Sequence, residues 1–164
     1  NTLTAALATI KENNDIQFIW QTGKYYYPQV TEALRAAGEL PNLYVTDFIK
    51  DMAAAYAASD LVISRAGAGS ISEFCLLHKP VVLVPSPNVA EDHQTKNALA
   101  LVDKQAAIYI KDSEAEAKLM DVALNTVADD RKLKELSENI AKLALPDSAR
   151  IIAQEVIKLA EAEN

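Results

Sequence analysis

The chain has 164 residues, half of them apolar, and carries a formal net charge of −7 at pH 7. This length suits one α/β domain with a sizeable core. The negative charge argues against a nucleic-acid backbone or an anionic lipid surface as the main partner. Cys75 is the only cysteine, so no internal disulfide is expected. That usage fits a reducing cytoplasm, and the apolar helical stretch around Cys75 predicts a buried structural thiol.

Short apolar runs alternate with longer amphipathic stretches along the chain. In chain order they predict helix Thr2–Glu12, strand Ile16–Trp20, helix Pro28–Ala37, a short strand within Asn42–Phe48, helix Asp51–Ala58, strand Leu61–Ser64, helix Ser70–Leu77, strand Val81–Pro85, helix Asp92–Val102, strand Ala106–Ile110, and helices Glu114–Val127, Asp130–Ala144 and Ser148–Ala162.

Strands this short, alternating with helices, predict an α/β fold with a doubly wound parallel sheet covered on both faces. The three final helices form a helical C-terminal tail that packs over one side. The sequence opens inside a predicted helix, whereas the first strand and turn of a doubly wound domain usually carry ligand contacts. We therefore expect residues 1–164 to be a fragment that begins just after a first βα turn.

Ligands of open α/β sheets bind outside the carboxyl ends of the strands. Four segments lie at such ends here, and we expect the ligand contacts among them: Gln21–Tyr27, Asp47–Met52, Ser64–Glu73 and Pro85–Asn97.

The turn Gly67–Ser70 joins a predicted strand to a predicted helix. Glycines let a phosphate approach the backbone, and free N–H groups at a helix start favour an anion. By itself the signal is weak, because "GAGSIS" lacks the last glycine of the dinucleotide fingerprint. Glu73 has two interpretations. It completes a capping box with Ser70, or it accepts hydrogen bonds from a vicinal diol such as a ribose.

A second polar cluster lies in "PSPNVAEDHQTKNA", residues 85–98. His93, Gln94 and Asn97 fall close together on the first turns of a helix, and such side chains can both donate to and accept from sugar hydroxyls. The alternative is that Glu91 or Asp92 caps the helix and that the other polar residues are merely solvated.

Other chemistries have little support in the sequence. His78 and His93 are the only histidines, and no Cys/His cluster has metal-ligand spacing. No Asp-x-Asp pair and no Gly-x-Ser-x-Gly elbow is present. We predict no metal site and no cofactor. Tyr25–Tyr27 either stacks on a base or packs within a loop.

Two long motifs, "VTDFIKDMAAAYAASDLVISRAGAGSISE" and "KPVVLVPSPNVAEDHQTKNAL", closely resemble the C-terminal domain of the MurG family. These are the UDP-N-acetylglucosamine transferases that make lipid II for peptidoglycan. The resemblance covers essentially the whole chain and implies one Rossmann-like half of a two-domain GT-B glycosyltransferase. It also implies that the sequence begins just past the family's Gly-Gly-Ser-x-Gly turn, which contacts the diphosphate.

The resemblance assigns donor contacts to particular residues. Phe48 and Ile49 match the uracil-binding segment, in which the Ile backbone reads the base and the Phe lies against the nucleotide. Glu73 matches the ribose-binding glutamate, which favours the diol interpretation. Before it, a stretch matches the segment that wraps ribose, diphosphate and sugar: Ala68, Gly69, Ser70, Ile71 and Ser72. Positions 69 and 70 carry bulkier residues in some relatives, so only side-chain contacts differ there.

On the second motif, Gln94 matches a sugar-reading glutamine, with His93 and Asn97 in neighbouring family positions. The resemblance implies an inverting transfer of N-acetylglucosamine from UDP-N-acetylglucosamine to lipid-linked N-acetylmuramoyl-pentapeptide. Helix N–H groups after Ala68 would take the place of a metal at the diphosphate. No residue of this chain is expected to be the catalytic base, which would lie in the N-terminal domain.

The N-terminal domain would also bind the lipid-linked acceptor and make the only membrane contact, on the cytoplasmic face of the inner membrane. The fragment alone is expected to be inactive. Two alternatives remain open: another GT-B UDP-sugar transferase or epimerase, and a non-catalytic nucleotide-binding module.

Overall fold

A computed structural model describes residues 2–88 and 92–162 of the chain. Its helices are α1 (Thr2–Glu12), α2 (Gly23–Ala37), α3 (Met52–Ala58), α4 (Ala68–Leu77), α5 (His93–Val102), α6 (Asp112–Val127), α7 (Asp130–Ala141) and α8 (Ser148–Ala162). Its strands are β1 (Phe18–Gln21), β2 (Leu43–Thr46), β3 (Val62–Ser64), β4 (Val81–Leu83) and β5 (Ile108–Tyr109).

The chain divides into two compact units. The first comprises Asn1–Ser59 and Ser113–Asn125, and the second comprises Asp60–Asp112 and Thr126–Asn164. Strands β1 and β2 pair in parallel in the first unit, and β3, β4 and β5 pair in parallel, in that order, in the second. The predicted α/β fold with parallel strands and flanking helices is confirmed, with the strands hydrogen-bonded as two sheets.

The first unit is organised around a buried asparagine. Asn42 is 3% exposed, and its Nδ2 donates to the carbonyls of Ile10, Asn13 and Ile16 at 2.9, 3.0 and 3.1 Å. These carbonyls lie at the end of α1 and in the turn that leads to β1. One side chain therefore fixes where β1 and β2 start relative to α1.

The core of the second unit surrounds β4, whose three residues are all buried. A central parallel strand is covered on both faces, which explains its uninterrupted apolar sequence. Phe74 of α4 and Leu136 and Ile140 of α7 are buried with it, at 1, 1 and 0% exposure. Helix α7 packs against α4. This helix of the C-terminal tail therefore covers α4.

Three helices begin earlier than the sequence predicts: α2, α4 and α6, the last at Asp112 rather than Glu114. Helix α2 starts at Gly23 rather than Pro28, so the three tyrosines lie in its first turns instead of a loop. Proline favours the first helical position, but here it occupies the second turn, where only one backbone hydrogen bond is lost. Gly23 has φ 73°, a left-handed conformation that glycine adopts without strain. Helix α4 starts at Ala68, two residues before Ser70.

Within residues 2–88 and 92–162, no helix combines the length and the apolar character that a membrane crossing requires.

Burial of Cys75 has a testable chemical consequence. Its side chain is 5% exposed, and this burial raises the pKa of the thiol, so little thiolate forms at neutral pH. We expect a water-soluble disulfide reagent to label the native protein far more slowly than the protein unfolded in guanidinium chloride. Equal labelling rates in the two states would contradict the buried position.

Candidate functional site

The first unit has a surface pocket at the carboxyl end of β2. Its volume is about 480 Å³, and it is lined by Ile19, Tyr44, Thr46, Asp47, Phe48, Ile49, Lys50, Asp51 and Ala55. Phe48 is 61% exposed there and Tyr44 is 63% exposed. Two accessible rings beside backbone groups suit a flat heterocycle, and the two residues that the resemblance assigns to uracil, Phe48 and Ile49, both line this pocket.

The loop that carries these two residues is held by side chains of the preceding strands. Thr46 Oγ1 donates to the Phe48 carbonyl at 3.1 Å and accepts from the Phe48 N–H at 3.4 Å. The Ile49 N–H donates to Gln21 Oε1 at 2.8 Å. The backbone donor expected to read a base is therefore engaged by Gln21, a contact that sequence reasoning missed.

In the second unit, α4 begins directly after the glycine turn. Gly67 is the N-cap in an extended conformation, and its carbonyl accepts the first intrahelical bond, from Ile71 N–H at 3.0 Å. The N–H groups of Ala68, Gly69 and Ser70 precede that bond, so they point outward from the helix start. Partial positive charge at this end favours an anion such as a phosphate.

Glu73 lies one turn further into α4, and its side chain is exposed. A capping box would require Ser70 to be the N-cap, but Ser70 is the third residue of the helix. That alternative interpretation of Glu73 is therefore wrong. Ser72 donates to the Ala68 carbonyl at 3.0 Å, an ordinary bond one turn back along the helix.

Two amides of α5 are bound to backbone groups at the strand ends of the same unit. Gln94 Oε1 accepts from the Ser86 N–H at 2.9 Å, just after β4, and Asn97 Nδ2 donates to the Ala66 carbonyl at 3.2 Å, just after β3. A backbone N–H can face only an acceptor and a carbonyl only a donor. The orientations of both amides are therefore fixed by their partners.

The start of α5 does not show the predicted capping. Asp92 occupies the N-cap in a left-handed conformation with φ 51°, and its carboxylate accepts from Thr95 Oγ1 at 2.6 Å rather than from a backbone N–H. The other predicted cap, Glu91, lies outside the described residues. His93 is the first residue of the helix and is exposed. In the described part of the chain, no group of three or more acidic, His or Cys side chains could hold a metal ion.

Arg65 is a second feature that sequence reasoning missed. Its Nη1 donates to the carbonyls of Val84 and Pro85 at 3.1 and 3.2 Å, and it forms a short ion pair with Asp112 at the start of α6. An arginine between a strand and a glycine turn could have indicated such bonds to carbonyls or a carboxylate. A guanidinium has only donors, so it needs acceptors of this kind at the end of the strands.

The chain matches a known protein family along most of its length. Residues 1–152 match the glycosyltransferase family 28 C-terminal domain. The chain belongs to this family.

Longer proteins contain closely similar family 28 domains. The chain is 99% identical over 164 residues to the UDP-N-acetylglucosamine--N-acetylmuramyl-(pentapeptide) pyrophosphoryl-undecaprenol N-acetylglucosamine transferase of Bacteroides thetaiotaomicron, covering all of this chain and 44% of the relative. The transferase of the same name from Bacteroides fragilis ATCC 25285 is 78% identical over 161 residues, which are 98% of this chain and 42% of the relative. The chain thus spans less than half the length of these relatives.

A solved structure shows the same fold. The crystal structure of Acinetobacter baumannii MurG aligns with a TM-score of 0.78 at 27% identity, over 96% of this chain and 46% of that protein.

The open space at the start of α4 can be tested through stability. A Cβ at Gly69 would meet nothing within 4 Å, and alanine favours a helix over glycine by about 0.5–1 kcal/mol. We expect Gly69→Ala to raise the free energy of unfolding in urea by up to that amount.

Gly38 is the matched control, because a Cβ there also meets nothing within 4 Å but φ is +85°. Gly38→Ala should lower the stability. A destabilised Gly69→Ala variant would show that this space is closed.

Proposed function

We propose that this chain is the donor-binding domain of a two-domain glycosyltransferase. The enzyme transfers N-acetylglucosamine from UDP-N-acetylglucosamine to lipid-linked N-acetylmuramoyl-pentapeptide. The observation that carries this proposal is the 99% identity, over all 164 residues, to the Bacteroides thetaiotaomicron transferase of that specificity. The rest of that protein's length would supply the N-terminal acceptor domain and the first βα turn.

The uracil would be bound by the pocket of the first unit. Phe48 would lie against the nucleotide, and the Ile49 carbonyl would accept from the base N–H. The Ile49 N–H can donate to a base carbonyl once Gln21 Oε1 has left it. This exchange replaces one amide–carbonyl hydrogen bond by another, so its net cost is small.

The ribose and diphosphate would be bound at the start of α4. The outward N–H groups of Ala68, Gly69 and Ser70 would donate to phosphate oxygens and stabilise the charge that develops as UDP leaves. Glu73 would accept from both hydroxyls of the ribose. Ile71 and Ser72 lie in the same turn, and we assign them to the wall of this site.

The hexose would be read by α5. Because Gln94 Oε1 is bound to Ser86 N–H, the amide offers its Nε2 hydrogens, so Gln94 acts as a donor to a sugar hydroxyl. Asn97 has the opposite polarity, since its Nδ2 is bound to the Ala66 carbonyl and its Oδ1 can accept. His93 would contribute a further contact from the first position of the helix.

The reaction would be inverting. The 4-hydroxyl of the acceptor's N-acetylmuramic acid attacks the anomeric carbon, the new glycosidic bond forms, and UDP departs with the electron pair of the broken bond. Glu73 and His93 are assigned to the donor, so the base that takes the hydroxyl proton would belong to the acceptor domain. That domain would also bring the enzyme to the cytoplasmic face of the inner membrane, where a pyrophosphoryl-undecaprenol acceptor resides.

The nucleotide assignment is tested with Glu73→Gln. Loss of charge-assisted hydrogen bonds of this kind costs about 1.5–3 kcal/mol, so UDP affinity measured by calorimetry should fall by roughly 10–100-fold with little change in melting temperature. NADH serves as the control ligand and should not bind. Unchanged UDP affinity would refute the assignment of Glu73 to the ribose, and tighter binding of NADH than of UDP-N-acetylglucosamine would refute the proposed function.

The hexose assignment is tested with Gln94→Glu and Gln94→Ala in the full-length enzyme. Glutamate keeps an acceptor for the Ser86 N–H but removes the donor offered to the sugar. We expect Gln94→Glu to reduce turnover of UDP-N-acetylglucosamine and to narrow the preference over the 4-epimer, UDP-N-acetylgalactosamine, because discrimination depends on pairing with a hydroxyl.

The affinity for UDP, which has no hexose, is the control and should barely change in either variant. Gln94→Ala should show the same loss of discrimination together with a looser loop after β4. Wild-type discrimination in Gln94→Glu would rule out a donor role for this amide.

A further inference from the structure

Arg65 occupies a junction of the second unit that the proposed donor contacts do not explain. It follows β3, yet its guanidinium binds the carbonyls of Val84 and Pro85, where β4 ends. Asp112, which begins α6, supplies the opposite charge. Three segments that are distant in sequence thus meet at one side chain.

The residues that Arg65 binds or adjoins are next in sequence to the partners of Gln94 and Asn97, the two amides assigned to the hexose. Ser86 follows the two bound carbonyls and donates its N–H to Gln94. Ala66 follows Arg65 and accepts from Asn97. The backbone on both sides of α5 is therefore held by groups adjacent to Arg65.

We propose that Arg65 and Asp112 form a positioning pair that fixes the end of β4 and, through it, the direction in which Gln94 and Asn97 face the donor hexose. Arg65 makes no substrate contact in this proposal and acts through the backbone. The identity of the hexose in this inference rests on the proposed function. The hydrogen bonds of Arg65, Gln94 and Asn97 lie within this chain and do not depend on it.

The exposure of Arg65 and Asp112 indicates that the pair positions the backbone and adds little to folding stability. The side chains of Arg65 and Asp112 are 55% and 35% exposed. Ion pairs as accessible as this contribute little to folding. All three acceptors lie around one nitrogen, Nη1, and the planar guanidinium holds this nitrogen in a more fixed direction than a flexible ammonium would have.

The test uses the full-length enzyme with Arg65→Ala, Arg65→Lys and Asp112→Asn. We expect Arg65→Ala to raise KM for UDP-N-acetylglucosamine roughly tenfold, the equivalent of about one charged hydrogen bond, and to narrow the preference over UDP-N-acetylgalactosamine. UDP affinity should stay within about twofold. Asp112→Asn should show a smaller change of the same kind, and adding it to Arg65→Ala should have no further effect.

Arg65→Lys should restore KM only in part, because lysine keeps the charge opposite Asp112 but its flexible stem does not hold a nitrogen rigidly in the place of Nη1. Glu114→Gln is the matched control. It removes a carboxylate from the same helix, where Glu114 pairs with Lys118 at 2.7 Å, and should leave KM and the epimer preference unchanged.

A merely structural role would lower the active fraction, and with it kcat and the number of UDP sites, without changing KM or the epimer ratio. That outcome overturns the proposal. So does an equal effect of Glu114→Gln.

Amide hydrogen exchange provides a readout that does not depend on the proposed reaction. The Ser86 N–H should exchange faster in Arg65→Ala and Asp112→Asn than in the wild type, with no ligand present. Unchanged exchange would refute the positioning role even if the enzyme proved to use another sugar nucleotide. If the variants exchange faster but the wild-type enzyme is itself inactive on UDP-N-acetylglucosamine, the positioning role is supported and the proposed function is refuted.

Discussion

The geometry of the second unit depends on backbone groups at the strand ends being paired with side-chain amides of α5. Parallel strands of three residues leave N–H and C=O groups without ladder partners as soon as each strand ends. Gln94 and Asn97 satisfy one donor and one acceptor of this kind. The same bonds set the polarity that each amide presents outward. A structural requirement at the strand ends therefore determines which atoms of the two amides are left for the proposed hexose contacts.

The ends of β3 and β4 are joined by the ladder itself, up to the bond that the Val84 N–H donates to the Ser64 carbonyl at 2.9 Å. Arg65 extends this link past the last backbone bond, since it follows β3 directly and its guanidinium binds two carbonyls after β4. Because those carbonyls follow a fully buried strand, the core holds one side of the link rigidly. The rigid apolar core in this way limits the movement of the polar groups bonded to the strand end. This matters because small displacements there change hydrogen-bond geometry.

Local patterns in the sequence predicted the elements well, and contacts between distant residues account for most of what they missed. Thr2–Glu12 and Ser148–Ala162 match their predicted bounds, because helical periodicity and end signals are local. The capping box at Ser70 was wrong, since the chain turns into the helix at Gly67. The bonds of Gln94 and Asn97 join residues 8 and 31 positions apart. Periodicity carries no information about such pairs, and the roles of individual donor contacts stay predictions from resemblance.

In the first unit, too, a side-chain amide pairs with a backbone group of a loop after a strand. Gln21 satisfies the Ile49 N–H across 28 residues, in an exposed loop next to the rings of Phe48 and Tyr44. A side-chain amide has the same carbonyl and N–H chemistry as the edge of a pyrimidine. In the proposed function, Gln21 would keep the loop in a conformation that a base also stabilises, which would reduce the ordering cost of binding. Because one hydrogen bond to the Ile49 N–H would replace another, most of the affinity for the proposed base would come from burying the exposed aromatic surface.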